Sequence, residues 1–321
     1  MVDDKVDGWI GVILGMLVGA CGDNAAPPLA LPVLYEGNVW GDQLAVADGQ
    51  VYFVTFYHGP ERDQAVWRVG VEGGEPALLW HGAPGATFGH KMTVQAEDLF
   101  FDQDHLEDAD DRLKLFSVPI GGGERRDWGF AGGAGGLVVD DHWLYVGNPD
   151  GLTRVPRGGG TAEVLAAGYI GDVERAGDEV YITRGDRLER VDVEAGVVTP
   201  ITGVAGIGRL TLTTTDALAI AGDAVVRMPL PPSTATPATV LSGHGAPYEI
   251  AADGDDLYVV VEPERDGARL LHVSLSTGAV VDITPKEIRP GRLVVDADSV
   301  FLAFCCGGTG TGGGQVLRVA R

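Results

Sequence analysis

Six polar residues take equivalent places ahead of apolar runs along this 321-residue chain: Asp42, His90, Asp172, Arg209, Glu249 and Arg292. Gly135 holds the same place once more, and Trp40, Phe88, Tyr169, Tyr248, His81 and His244 lie close by. Carboxylates and a His gathered around one opening can coordinate a hard cation such as Ca²⁺, which takes oxygen ligands. The two arginines work against a simple cation site. The alternative is a solvated rim of mixed charge that holds no ligand.

Two other clusters carry chemical potential. The run DQDHLEDADDR (Asp102 to Arg112) holds Asp102, Asp104, Glu107, Asp108, Asp110 and Asp111. It opens D-x-D but lacks the glycine and terminal glutamate spacing of an EF-hand, so it reads as a solvated acidic loop or a loose calcium site. Cys305 and Cys306 are adjacent in CCGGTGTGGGQ. In an oxidising compartment they can close a strained, labile vicinal disulfide. They can also stay as two thiols, or serve a redox or metal role. Two thiolates without a further His or Cys make a poor zinc site. The glycine-rich GGAGGL (Gly132 to Leu137) runs into a strand, so no helix terminus is available for phosphate. Neither HExxH nor GxSxG occurs, and no catalytic residue can be named.

The elements that must position these residues repeat. Seven apolar-aromatic segments recur, with second positions Tyr52, Phe100, Tyr145, Tyr181, Ala219, Tyr258 and Phe301. An acid usually precedes each one, in a turn between antiparallel strands. A further strand follows each segment, and five of these strands carry an arginine at a matching place: Arg68, Arg154, Arg190, Arg227 and Arg318. Those arginines read as snorkelling along the sheet or pairing with a turn carboxylate. An all-strand unit of about 40 residues is the mark of a β-propeller blade. The expected fold is therefore all-β: a seven-bladed β-propeller of four-stranded antiparallel blades. The chain stops after the third strand of the last repeat, and LPVLYEG (Leu31 to Gly37) resembles the strands that end other units. The N-terminal strand is expected to complete the seventh blade and close the ring.

Composition limits the partners. With 46 acidic and 23 basic residues the formal charge is −23. That excludes electrostatic binding to a nucleic-acid backbone and docking on anionic lipid. It suits a cationic ligand.

The apolar run GWIGVILGMLVGA (Gly8 to Ala20) is too short to span a bilayer, and it fits a signal-peptide core. It ends Leu17-Val18-Gly19-Ala20-Cys21, which resembles the lipobox of bacterial lipoproteins. The leading MVDDKVDG, with three Asp and one Lys, departs from the usual positive start. The resemblance implies residues 1–20 as signal peptide, lipidation at Cys21, a tether over 21–29 and a propeller over 30–321. Gly22 stands where an Asp would mark inner-membrane retention, so an exported protein at the outer membrane is expected.

The repeat D-x-x-(V/L)-Y…(L/V)-x-R-(V/M)-x…G-G-x…L resembles YWTD propellers of the LDL-receptor type, and related TolB-like and NHL-like bacterial propellers. The tetrapeptide is never intact, and the likeness carries no functional residue across. The expectation is a lipid-anchored binding or protein-interaction module of the cell envelope, with a protein or glycan partner. The alternative is a propeller enzyme, a metal-dependent hydrolase or lyase with a cation in the central channel.

Overall fold

The structure is a computed structural model, and it describes residues 32–37, 39–56, 64–82, 86–105, 114–131, 135–201, 204, 206–231, 236–262, 268–284, 291–304 and 314–321. The segment read as a signal peptide, Cys21, the expected tether up to residue 31, Cys305, Cys306 and the acidic run after His105 lie outside the described residues.

Seven four-stranded antiparallel sheets form the blades of a β-propeller, as the repeat implies. Blade one spans 39–81, blade two 86–131, blade three 137–167, blade four 170–200, blade five 207–242 and blade six 246–282. Blade seven takes three strands from 292–320 and its outermost strand from Val33–Gly37. That strand pairs antiparallel with Gly314–Ala320, Val33 opposite Leu317 and Gly37 opposite Gly314. The expected closure of the ring by the N-terminal strand is thus the observed one. The outermost strands remain edges, and they are short, from 3 residues in blade six to 6 in blade two. Short edges limit strand-to-strand aggregation.

Among the described residues the apolar core divides into seven clusters, one at each seam between neighbouring blades. At the first seam Tyr52 and Val54 of blade one meet Met92, Leu99 and Phe101 of blade two. At the closing seam Leu34 and Val316 of blade seven meet Val39 and Leu44 of blade one. A blade buries both faces only against its neighbours. Its second strand is accordingly apolar throughout, as in Leu257–Val261, where every residue is buried.

The repeated arginine always faces the anchor position across the ladder: Tyr52 opposite Arg68, Tyr145 opposite Arg154, Tyr181 opposite Arg190 and Phe301 opposite Arg318. In blade five Arg227 faces Leu218, so the anchor there is Leu218 and not Ala219. A blade-five segment without an aromatic gave the sequence nothing to fix that one-residue choice. The arginines pair with carboxylates, Arg190 with Glu179 at 2.8 Å and Arg227 with Asp216 at 2.7 Å. Three of them also reach the next blade. Arg68 donates to the Ile120 carbonyl at 2.8 Å, Arg154 donates to the Val193 carbonyl, and Arg318 meets Glu72 at 2.5 Å. The last of these ties blade seven to blade one.

Candidate functional site

The innermost strand of each blade lines the central channel, and in five blades it carries a bulge near its start. In blade one, residues 41–43 lie between the pairs Trp40–Val54 and Leu44–Phe53. In blade two, residues 89–91 lie between Phe88–Gln103 and Met92–Phe101. Shorter bulges fall at Gly171, at Gly208 and Arg209, and at Tyr248. A bulge adds residues to one strand and re-aims the side chains there.

Counting back from the first apolar residue after each bulge aligns the seven blades. Leu44, Met92, Leu137, Val173, Leu210, Ile250 and Leu293 occupy one ladder level. The residues just before them are Gln43, Lys91, Gly136, Asp172, Arg209, Glu249 and Arg292. Four of the six sequence candidates therefore stand at this level. Asp42 and His90 stand one residue earlier, because the bulges of blades one and two are longer. Both lie in described strands, but their side chains lie outside the described residues. Sequence reasoning missed Gln43 and Lys91. The signal for them was position: each immediately precedes the apolar residue that re-enters the ladder.

The side chains at this level form a buried polar network. Lys91 is 4% exposed, Asp172 1% and Glu249 3%. The Lys91 Nζ reaches across from blade two to Asp172 Oδ1 of blade four at 2.6 Å. Asp172 also accepts from the Val173 amide at 3.0 Å and the Leu210 amide at 3.0 Å. Glu249 of blade six receives Arg292 of blade seven at 2.8 Å and lies 3.4 Å from Arg209 of blade five. Burial alone would push the Asp172 carboxyl up, but the charges of Lys91, Arg209 and Arg292 outweigh it and hold the group below the usual carboxylate range.

Blade three supplies no side chain at this level, and its glycines let blade four approach. A Cβ on Gly135 would sit 2.1 Å from the Ile170 carbonyl oxygen. On Gly136, at φ +128°, it would sit 2.4 Å from the Val173 nitrogen. Lys91 thus spans a gap that two glycines create.

Asp102, read as part of an acidic loop, belongs to the second strand of blade two, Asp98–His105, and is buried. It lies opposite the blade-two bulge and satisfies it. Its Oδ1 accepts from the Lys91 amide at 3.1 Å and from Gln43 Nε2 at 2.9 Å. Asp104 shares the strand, and residues 106–113 lie outside the described residues. Of the flanking aromatics, Tyr169 is exposed and Tyr248 half-buried.

Beyond this network the channel opens into a cavity of ≈ 280 Å³ walled by the inner strands of blades one, two, four, five, six and seven. Glu174 lines it, two residues beyond Asp172 on the same side of the strand. A second cavity of ≈ 390 Å³ shares Thr93 and Glu174 with the first and runs to the turn at Gly177 and Asp178. Burial pushes the Glu174 carboxyl up to about 7, against the pull of Lys91, with Asp172 adding to the rise. A groove of ≈ 610 Å³ lies on the same face as that turn, at the seam of blades three and four. Asp140, Asp178, Glu179, Arg154, Arg175 and Arg190 stand along it in ion pairs.

A cation would need open oxygen donors at the channel mouth. Asp172 and Glu249 are instead engaged by ammonium and guanidinium groups, a donor set that does not fit Ca²⁺. Among the described residues no group of three His, Cys, Asp or Glu side chains is placed to hold a metal ion.

No protein-family model matches the sequence, and no curated protein matches it. Solved structures share its fold. A puromycin-hydrolysing peptidase of Mycobacterium tuberculosis superposes with a TM-score of 0.63 at 15% identity, over 88% of this chain and 51% of that one. A structure from a study of two prolyl endopeptidases gives 0.63 at 13%, over 90% and 51%. The extracellular domain of a putative hybrid two-component system from B. thetaiotaomicron gives 0.60 at 13%, over 90% and 43%. The chain spans about half the length of these proteins, and at such identities the likeness is one of fold.

Proposed function

We propose that the chain is an exported β-propeller, anchored by lipid at Cys21 on the cell envelope, and that it binds a protein or glycan partner there. The residues Leu17 to Cys21 support the anchor. The observation that favours binding over a cation-dependent hydrolase or lyase is the channel mouth itself. Its carboxylates Asp172 and Glu249 are already neutralised by Lys91, Arg209 and Arg292, so they orient structure and leave no open coordination site.

The first strand begins at Val33, 12 residues after Cys21. At about 3.3–3.6 Å per extended residue the tether reaches roughly 40 Å. Val33 lies at the end of blade seven away from the bulges, which supports a bulged face turned away from the anchor. On that face the connections between second and third strands are long in blades six, seven, one and two, and short in blades three to five. The described strand ends that bear the long connections, such as Glu262 in blade six, mark the expected partner surface, with an outer-membrane location.

Labelling of cells with a radioactive fatty acid should mark the wild-type chain and leave Cys21→Ser unmarked in the soluble fraction. A label that persists on the variant, or never appears on the wild type, removes the anchor. A photo-crosslinking residue at exposed Glu262, at the bulged end of blade six, should trap an envelope partner that the same probe at Leu78, on the perimeter, does not. Equal trapping at both sites would remove the assigned surface.

A further inference from the structure

Glu174 is an exception among the channel's charged groups. Lys91, Asp172, Arg209, Glu249 and Arg292 are engaged with one another, whereas Glu174 makes no hydrogen bond or ion pair among the described residues. It stands where the two cavities meet, with Thr93 lining both and Thr211 lining the first. The innermost strands are sheet edges, so their unpaired backbone groups face this space as well. We propose that Glu174 and the surrounding channel form a binding site for a compact primary ammonium ion, reached from the face opposite the bulges.

Three observations select this ligand class. The sign follows from the partner count: Arg292 also lines the cavity but is held by Glu249, and Lys91 and Arg209 are held by Asp172 and Glu249, which leaves the Glu174 carboxyl as the group to be neutralised. The size follows from the cavity, ≈ 280 Å³, which is room for roughly nine waters at ~30 Å³ each. An alkylammonium of a few carbons fits within it. The chemistry follows from the donor count. A primary ammonium directs three N–H donors, and one carboxylate, two threonine hydroxyls and strand carbonyls can accept them. The carboxyl's raised protonation range agrees with a group that lacks its counter-charge. The site does not depend on anchoring at Cys21, so its failure and that of the anchor are separate results.

The test is titration calorimetry on the full chain with n-propylammonium chloride, at matched ionic strength against sodium chloride. It is run one unit below and one unit above pH 7, near which Glu174 titrates. The expected result is saturable binding that tightens about tenfold across that range, because only the ionised carboxylate binds. A proton should be released on binding, seen as a heat that changes with the buffer's ionisation enthalpy. Glu174→Gln should lose at least about tenfold in affinity, and Glu174→Asp should keep part of it. Tetramethylammonium, which has no N–H donor, should not compete. Unfolding of both variants with a single cooperative transition establishes that the loss is local. Equal affinity in Glu174→Gln, no saturable heat at the higher pH, or equal competition by tetramethylammonium overturns the proposal.

Discussion

At the bulged end of the channel Lys91 meets Asp172 at 2.6 Å with side chains 5% and 1% exposed. On the outer part of blade four Arg190 meets Glu179 at nearly the same distance, 2.8 Å, with side chains 33% and 40% exposed. Geometry barely separates the two pairs, yet their energetics differ. A buried pair has given up its hydration, so removing one partner strands the other. An exposed partner returns to water and loses little. The channel network is therefore a device for fixing how five blades meet, whereas the outer pairs adjust a surface.

The sharpest way to break the comparison is Lys91→Met. It leaves Asp172 buried with two backbone donors but no ammonium, and should cost about 3–5 kcal/mol in chemical denaturation. A loss below about 1 kcal/mol would place the pair with the surface ones. Next is Gly136→Ala, whose Cβ would press on the Val173 backbone at 2.4 Å and should cost about 2–3 kcal/mol. Retained stability there would mean that blade four's approach is not what admits the Lys91 contact. Glu249→Gln leaves Arg292 and the half-exposed Arg209 without their carboxylate and should cost about 2 kcal/mol by the same measurement.

The pH dependence sharpens the contrast within the channel, because two carboxyls on one strand have opposite signs. Glu174 has a raised folded value, about 7 against 4.5. Its contribution is complete below about 4.5 and is lost as pH rises through 7. The folded value of Asp172 is lowered from 3.8, so its contribution is present above that value and lost on further acidification. Melting temperature followed from pH 5 to 8 should therefore fall in the wild type, and Glu174→Gln should flatten that slope. An unchanged slope would remove Glu174 as its source. Smallest of all, Glu179→Gln should change stability by less than about 1 kcal/mol, an effect that fades with added salt.

The sequence made the architecture legible because a blade writes itself in local terms. Tyr181 and Arg190 announce a second and third strand, and the spare strand at Leu31 to Gly37 announces closure. The channel site was legible only in part. Asp172, Arg209, Glu249 and Arg292 stand at or after short bulges or none, so counting to the apolar run found them. In blades one and two the three-residue bulges moved the effective positions to Gln43 and Lys91, and a bulge's length is decided by what the opposite strand can satisfy. Asp102 supplies that in blade two; its place at the end of the apolar segment Leu99 to Asp102 was readable, but its buried role was not. Glu174 was invisible for a different reason. Its neighbours come from separate blades, and its lack of a partner is a property of the assembled ring.

The clasp at the seventh blade also sets a timetable. Val33 pairs with Leu317, nearly the whole chain away, so no blade order can complete the ring before the last strand exists. Early blades can form from local contacts, but one side of the first and of the last waits for the strand Gly314–Ala320. Loop closure over that span is costly before any contact rewards it. A chain built this way stays open while it is being made and moved, and becomes one cooperative object only when its two ends meet.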